Sequence, residues 1–542
     1  SGFQQPTTLL EFADSYTYAQ RMNEAQLNDG VDPSLVRFSD EALEAFRTNS
    51  DPIIYPNTDW VDYIMKPLAF QSNNNVNISG GTENVRFFVS SGYLRQDGLF
   101  RTFDNGYNNN FTFDRYNFRT NLDVDVTPST VVSLTSAGRI EQRNSPQVRN
   151  EDNLWRQIYW SVPFSGPGIV DGKWVRNGNF YITDEKKDGL QSFYGTGLTN
   201  SSRNVLNLDL GVRQHLDFIT DGLSLELKGA YNTFYTQTKS RSTSVAEYEP
   251  FYRVDVDPTA VGDSTIVYKK SGNDGNLSYS ESYMRDRDWY LEARVSYKGS
   301  FRSHSFGGLL LYNQRKDYYP SSFVSIPRGL VGTVGRLNYN YDGRYLFEAS
   351  MGYNGSENFA EGRRFGFFPA VSAGWVVTKE KFMRNIEFLD HLKFRASYGI
   401  VGNDLGVGRF LYLPGTYFAS AGGYNFGVDV PQNQTGAREG QIGNPLVTWE
   451  SSTKQNYGIN IRVLDDRLDL SADIFHEYRE DILTTRNTIP SFVAATLPAV
   501  NIGEVENRGY EIELRWREQR GNIFYNIDTN FSFSRNEIIY MD

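Results

Sequence analysis

Between residues 329 and 383, apolar and polar side chains alternate, first along one stretch and then along the next. Val331, Leu337 and Tyr339 precede Tyr341-Asp342-Gly343; Tyr345, Phe347, Ala349, Met351 and Tyr353 follow it. Period two predicts two strands, each with one apolar face. For the two apolar sets to share a face, the connection must hold an odd number of residues. A three-residue loop at 341–343, with Gly343 left-handed in a G1 bulge, meets that need and pairs Leu337 with Phe347. The opposite face carries Arg336, Asn338, Asn340, Arg344, Glu348 and Ser350. A third strand, 366–378, follows a polar loop.

The same period runs through most of the chain from residue 72. Strands are predicted at 72–80, 83–93, 111–126, 130–140, 204–219, 222–235, 282–298 and 303–315. They continue at 329–340, 344–354, 366–378, 389–400, 446–463, 467–478, 504–518 and 522–535, sixteen in all. Every second connection is short (81–82, 127–129, 220–221, 299–302, 341–343, 464–466, 519–521), with 379–388 a longer member that holds a helical turn. The others are long: 94–110, 141–203, 236–281, 316–328, 355–365, 401–445 and 479–503. A soluble sandwich also has one apolar face per strand. Strands of nine to eighteen residues, however, exceed the usual five or six and suit a tilted crossing of a bilayer, which takes about 9–11. Short turns at one end and long loops at the other are the pattern of outer-membrane barrels. The predicted fold class is therefore all-β, an antiparallel transmembrane β-barrel with long extracellular loops. A multi-domain sandwich or solenoid is the competing architecture.

Residues 1–71 lack this period and read as a folded, partly helical insertion ahead of barrel wall over 72–542. Thr8-Leu9-Leu10-Glu11 resembles a capping box opening a helix to about Asn28, and Ser39-Asp40-Glu41 caps a second ending near Thr48. Pro52, Pro56 and Trp60 mark irregular chain.

Composition narrows the picture. No apolar run is long enough for a membrane helix. Aromatic residues are 15% of the chain, which suits interfacial girdles. The absence of cysteine excludes thiolate sites and disulfides. A net charge of −11 with no basic block speaks against nucleic acid as a partner. With no leader at Ser1 and a strand running into the last residues, the chain reads as a fragment cut at both ends.

Several spaced motifs carry a resemblance. They are Asp59-Trp60, Ser79-Gly80-Gly81-Thr82-Glu83, Tyr93-Leu94-Arg95-Gln96-Asp97-Gly98, the stretch Tyr341 to Ser350, and Phe368-Pro369-Ala370-Val371-Ser372-Ala373-Gly374-Trp375. Further on are Leu392 to Gly399 with Gly402-Asn403-Asp404, Asn444-Pro445, Trp449-Glu450, and Asn501-Ile502-Gly503 with Asn507-Arg508-Gly509-Tyr510-Glu511. Together these resemble the SusC/RagA branch of TonB-dependent outer-membrane transporters over nearly the whole chain. Gly352-Tyr353-Asn354 departs from that pattern, where basic residues and an Asp are common. The resemblance implies a 22-stranded barrel around an N-terminal plug in the Gram-negative outer membrane. It implies import of a glycan or peptide, with a SusD-like surface lipoprotein as lid and TonB supplying energy through the plug. The plug and the first barrel strand would precede Ser1, residues 1–71 would be the extracellular segment after that strand, 72–80 would be the second strand, and about five more would follow Asp542.

No residue set assembles an enzyme site, and no cofactor is implied. His476-Glu477-Tyr478-Arg479-Glu480 lacks the second His of a zincin helix and ends a strand. Gly329, Gly332 and Gly335 do not fit a dinucleotide fingerprint and relieve crowding or permit curvature in a strand. Asp255, Asp257, Asp263 and Asp274 make the 236–281 loop acidic without EF-hand spacing. Ligand contacts are expected in long loops, where aromatic faces suit sugar rings and amides suit hydroxyls or peptide backbone. Loop 141–203 offers Trp155, Trp160 and Trp174, with Tyr159 and Phe164; loop 401–445 offers Tyr412 and Tyr424, with Tyr417 and Phe418. Packing against the barrel or lid is the plainer role for each ring. Asn403 and Asp404 are expected to shape the turn after their strand. A surface β-rich adhesin or lectin without transport is the alternative function.

Overall fold

A computed structural model describes the chain except residues 8, 104–105, 148–150, 179–187, 253–265, 405–407, 416–417, 420–422, 429–430 and 489–496. Its wall is one 17-stranded sheet in which each strand pairs antiparallel with the next. The strands are β1 Gly2–Gln4, β2 Ala69–Gly81, β3 Val85–Asp97, β4 Thr112–Thr127, β5 Thr130–Pro146 and β6 Gly197–His215. Then come β7 Leu223–Ser242, β8 Ser278–Phe301, β9 His304–Tyr318, β10 Arg328–Tyr341, β11 Tyr345–Ser356 and β12 Phe365–Val376. The order ends with β13 Leu389–Asn403, β14 Glu450–Val463, β15 Leu468–Thr484, β16 Val500–Arg520 and β17 Ile523–Tyr540. All sixteen strands expected from alternation are present; β1, three residues paired with Ala69–Gln71, is an addition.

The register carries one face unbroken around the sheet. Leu337 lies opposite Ala349 and Gly308, Ala349 opposite Val371, and Val371 opposite Tyr398. Leu337, Phe347, Met351, Val371, Phe394, Tyr457 and Ile474 are exposed on this outer face. That is the behaviour of a surface whose solvent is lipid. The inner face pairs Asn338 with Glu348 and Glu348 with Ser372. Gly335 sits beneath Met351, whose Cε would lie 2.9 Å from any added Cβ, so this glycine does relieve crowding.

The opening hairpin keeps its predicted faces but not its predicted pairing. Tyr341 pairs with Tyr345, so the three-residue loop is 342–344, one residue later than expected. Leu337 therefore meets Ala349, and Phe347 meets Tyr339. Asp342 and Gly343 are both left-handed (φ 53° and 64°), which departs from the expected G1 bulge, and Arg344 N–H donates to Tyr341 O at 2.8 Å.

Other boundaries also move. The expected strand 204–219 stops at His215 and the turn occupies 216–222, while 366–378 stops at Val376 and gives way to 3₁₀ turns Val377–Lys379 and Lys381–Met383. Many strands run further at the long-loop end, because there both faces are polar and alternation loses its contrast.

In the N-terminal segment, helix α1 is Ser15–Asn28, capped by Asp14, which accepts from Thr17 N–H at 2.7 Å. The expected capping box is not its start: Leu9 and Leu10 are exposed, and Thr8 lies outside the described residues. Helix α2, Asp40–Thr48, is capped by Ser39 as expected. Trp60 opens a third helix, α3 Trp60–Ile64, rather than irregular chain, because Asp59 accepts from the N–H groups of Val61 and Asp62.

Candidate functional site

The long loops form two packed clusters at one end of the wall. In the first, Ala19, Phe38, Ala42 and Phe46 of α1, α2 and their link bury against Val162 and Phe164. Beside them Trp60, Val61 and Ile64 pack with Ile158, Trp174, Leu190 and Phe193. Trp60 Nε1–H donates to Val162 O at 3.0 Å and Ser165 Oγ at 2.9 Å. The Asp59-Trp60 motif is thus a cap followed by a buried anchor. A small sheet extends this cluster, with Lys173–Val175 between Gly168–Val170 and Glu247–Tyr252, and Ile266–Ser271 outermost. Asp274, in the same loop, accepts from Ala246 N–H and from Lys270, which hold its carboxyl below the usual range. The other aspartates of that loop, Asp255, Asp257 and Asp263, lie outside the described residues.

The second cluster joins Phe359, Val447, Leu483 and Ala499, with Leu411 and Trp449 against it. Asp404 binds Arg328 at 2.8 Å and Ser356 Oγ at 2.7 Å, tying the end of β13 to β10 and β11; the turn it was expected to shape begins at 405–407, outside the described residues. Arg409 donates to the carbonyls of Ser322, Ile326 and Pro327 and to Glu357. Glu450 accepts from Asn403 and from Leu483 N–H. Asn501 bridges Thr448 and Asp481. These motif residues are the clamps that fix where loops leave the wall.

Below the loops the inner wall is polar and charged. Arg86 pairs with Asp125 at 2.7 Å, and Glu226 receives Arg213 at 2.9 Å as well as Arg294. A groove of about 520 Å³ is lined by Asn338, Glu348, Ser372, Lys393, Arg395 and Asn456. Such a wall offers hydrogen bonds to a hydrated solute or a polar protein segment.

The five rings proposed for ligand contact separate in two. Trp174 is buried, its indole bound to Asp188 at 2.9 Å. Trp155 is half-buried, stacked at 5.8 Å on Tyr159, which stacks in turn on Phe12. Tyr412 meets Phe410 edge-on within the second loop region. These three pack structure. Trp160 is 55% exposed with Arg156 over its ring at 4.9 Å, and Tyr424 is 69% exposed beside Phe426. Tyr417 lies outside the described residues, and Phe418 begins a two-residue strand paired with 437–438. A crevice of about 150 Å³ beside Trp60, walled by Phe12, Asn57, Ser161 and Pro163, went unseen because its walls are about 100 residues apart. His476 pairs with Glu506 at 2.7 Å on the outer face, in mid-strand rather than at a strand end, because β15 runs on to Thr484.

An antiparallel wall with a lipid-suited outside, a polar inside and long loops gathered at one end defines a transmembrane β-barrel protein. Residues 15–540 match the family described as "TonB dependent receptor-like, beta-barrel", and this chain belongs to it. The chain is 26% identical over 500 residues to TonB-dependent receptor P3 of Formosa agariphila, covering 89% of this chain and 47% of that one. It is 25% identical over 532 residues to TonB-dependent receptor SusC of Bacteroides thetaiotaomicron, covering 89% and 48%. The chain thus spans about half the length of the curated relatives it matches. Its fold is similar to a chain of the RagAB peptide importer in the open-open state, with a TM-score of 0.71 at 18% identity, over all of this chain and 60% of that one. These relatives place the chain in the outer membrane of a Gram-negative bacterium.

Proposed function

We propose that this chain is the wall and loop region of an active transporter importing an oligomeric nutrient, glycan or peptide, across the outer membrane. A SusD-like surface lipoprotein closes over the loops, and the TonB complex supplies energy through a plug in the lumen. The reading is carried by one observation: a continuous polar inner wall lies beneath two packed loop clusters, inside an apolar outer face. The match to SusC and the fold shared with the RagAB importer support it. Residues 1–71 form part of an extracellular cap ahead of the wall, and the short turns face the periplasm. The chain performs no covalent chemistry. Trp160 and Tyr424 contact the ligand, with Trp155, Trp174 and Tyr412 supporting the loops that present it.

The test is binding of glycan and peptide libraries to the intact transporter with its lid, followed by uptake in cells with and without TonB. The expected result is retention of one oligomer class and uptake that stops without TonB. Uptake that persists without TonB, or surface adhesion with no uptake, overturns the reading.

A further inference from the structure

We propose that the outer face of β7–β9, at the upper edge of the apolar band, binds a phosphorylated glycolipid of the outer leaflet. The inference rests on the reading of the long-loop end as extracellular. Strand register sets which side chains stand on this face. Tyr231 pairs with Trp289 and Thr233 with Arg287; above them come Tyr235 with Arg285, Gln237 with Tyr283, Lys239 with Glu281, and Arg241 with Tyr279. Lys316 and Tyr318 continue the face on β9, opposite Trp289 and Arg287. Five cations (Lys239, Arg241, Arg285, Arg287, Lys316) therefore stand with a single acid, Glu281. In a chain of net charge −11 this is a local reversal.

The same end of the outer face on β15–β17 is different. There His476, Arg508 and Arg535 are matched by Glu480, Glu504, Glu506 and Glu537. His476 meets Glu506 at 2.7 Å and Arg508 meets Glu537 at 4.0 Å. On β7–β9, by contrast, Lys239, Arg285, Arg287 and Lys316 form no ion pair among the described residues.

Tyrosine rings hold three of these cations instead. Arg285 lies 4.3 Å over Tyr319, Arg287 4.0 Å over Tyr318, and Lys316 5.5 Å over the same Tyr318 ring. Arg241 lies 5.5 Å over Tyr279. A guanidinium stacked on a ring keeps its edge N–H groups available for the bidentate contact that phosphate oxygens favour. Tyr283 and Tyr279, two and six residues further up β8 from Arg285, are exposed and offer faces to sugar rings. Cations beside open aromatic faces suit a phosphate carried on a sugar.

Height fixes the occupant as lipid. Arg287 lies ten residues up β8 from Tyr297 at the short-turn end. At about 3.3 Å per residue and a tilt near 40°, that is about 25 Å, the thickness of the apolar band. The patch stands where headgroups begin, and basic residues at that level attract anionic headgroups.

The test uses the full-length transporter in detergent, titrated by native mass spectrometry with monophosphorylated lipid A, its dephosphorylated counterpart and phosphatidylglycerol. Arg285→Gln/Arg287→Gln/Lys316→Gln is compared with His476→Gln/Arg508→Gln/Arg535→Gln, both first checked for heat-modifiable gel mobility. The first triple should weaken phosphorylated lipid A at least about tenfold, and the second by less than about twofold. Equal weakening in both, equal retention of dephosphorylated lipid or phosphatidylglycerol by the unaltered protein, or displacement by millimolar inorganic phosphate each overturns the site. Lipid retention needs no uptake, so a failed uptake assay overturns the transport reading alone.

Discussion

Trp174 donates its indole N–H to Asp188 at 2.9 Å, and Arg176 Nε reaches the same buried carboxylate at 3.1 Å. Leu190 N–H donates to the other oxygen at 3.0 Å. Arg176 also binds Glu247 at 2.7 Å, so this one cluster joins the loop after β5 to the loop after β7. The aromatic face that made Trp174 a ligand candidate is spent on this junction.

Removing the carboxylate by Asp188→Ala leaves a buried indole N–H and a largely buried guanidinium short of partners. Breaking such a pair costs about 3–5 kcal/mol, here confined to the loop cluster. Faster proteolysis and hydrogen exchange within 155–177 are expected, with the heat-modifiability of the barrel unchanged. Unchanged exchange there would show that Glu247 alone holds the junction.

What could be read from residues follows from this contrast. Strands such as β4 and β10 were legible because lipid on one side and water on the other impose period two on a local stretch. The contrast fades where water bathes both faces, which is why period two does not mark Thr236–Ser242 of β7 or Ser278–Glu281 of β8 as strand. The loop clusters were illegible for another reason: Trp60 finds Val162 and Ser165 about 100 residues away, and no local period announces that. Aromatics there looked like ligand rings because burial and recognition recruit the same residue types. The start of α1 was misplaced because Thr8-Leu9-Leu10-Glu11 has a cap's composition, whereas Asp14 has the geometry.

The wall assignment is tested by charge placement. Leu291 is exposed on the outer face, six residues up β8 from Tyr297, near the middle of the apolar band. Leu291→Arg should cost about 2–4 kcal/mol in reversible urea unfolding in lipid vesicles. Leu337→Arg should cost less, about 1–2 kcal/mol, since Leu337 stands two residues from Tyr339 near the short-turn edge and arginine can reach the interface. Asn338→Arg, on the lumenal groove, should be milder still. Equal tolerance at Leu291 and Asn338 would sink the membrane-facing assignment.

The hairpin turn after β10 has its own signature. Gly343 is left-handed at φ 64°, and an added Cβ would lie 2.3 Å from Lys379 Nζ, a flexible group able to move aside. Gly343→Ala should therefore cost about 1–2 kcal/mol, mostly backbone strain. Asp342, at φ 53°, carries strain of the same kind, so Asp342→Gly should recover up to about 1 kcal/mol, less the loss of its 3.1 Å pair with Arg344. Opposite signs for the two substitutions in urea unfolding are the outcome to check.

Finally, Tyr252 in the loop after β7 donates to Asp51, whose other oxygen accepts from Ile53 and Ile54 N–H at 3.1 Å. Partial burial, then the hydrogen bond and the negative charge of Asp51, push the Tyr252 phenol well above its ordinary value of 10.0. A group whose folded pKa is raised contributes stability in full below its unfolded pKa and loses it as pH rises through the folded one. The tie between the N-terminal segment and this loop is thus expected intact through pH 10 and to weaken only above the usual tyrosine range. Ultraviolet difference titration of wild type against Tyr252→Phe should assign one phenol to the most alkaline step. At pH 8, Tyr252→Phe should speed exchange of the Ile53 and Ile54 amides about fivefold, the equivalent of about 1 kcal/mol. A Tyr252 that ionises with the exposed tyrosines would show that Asp51 does not hold it in solution.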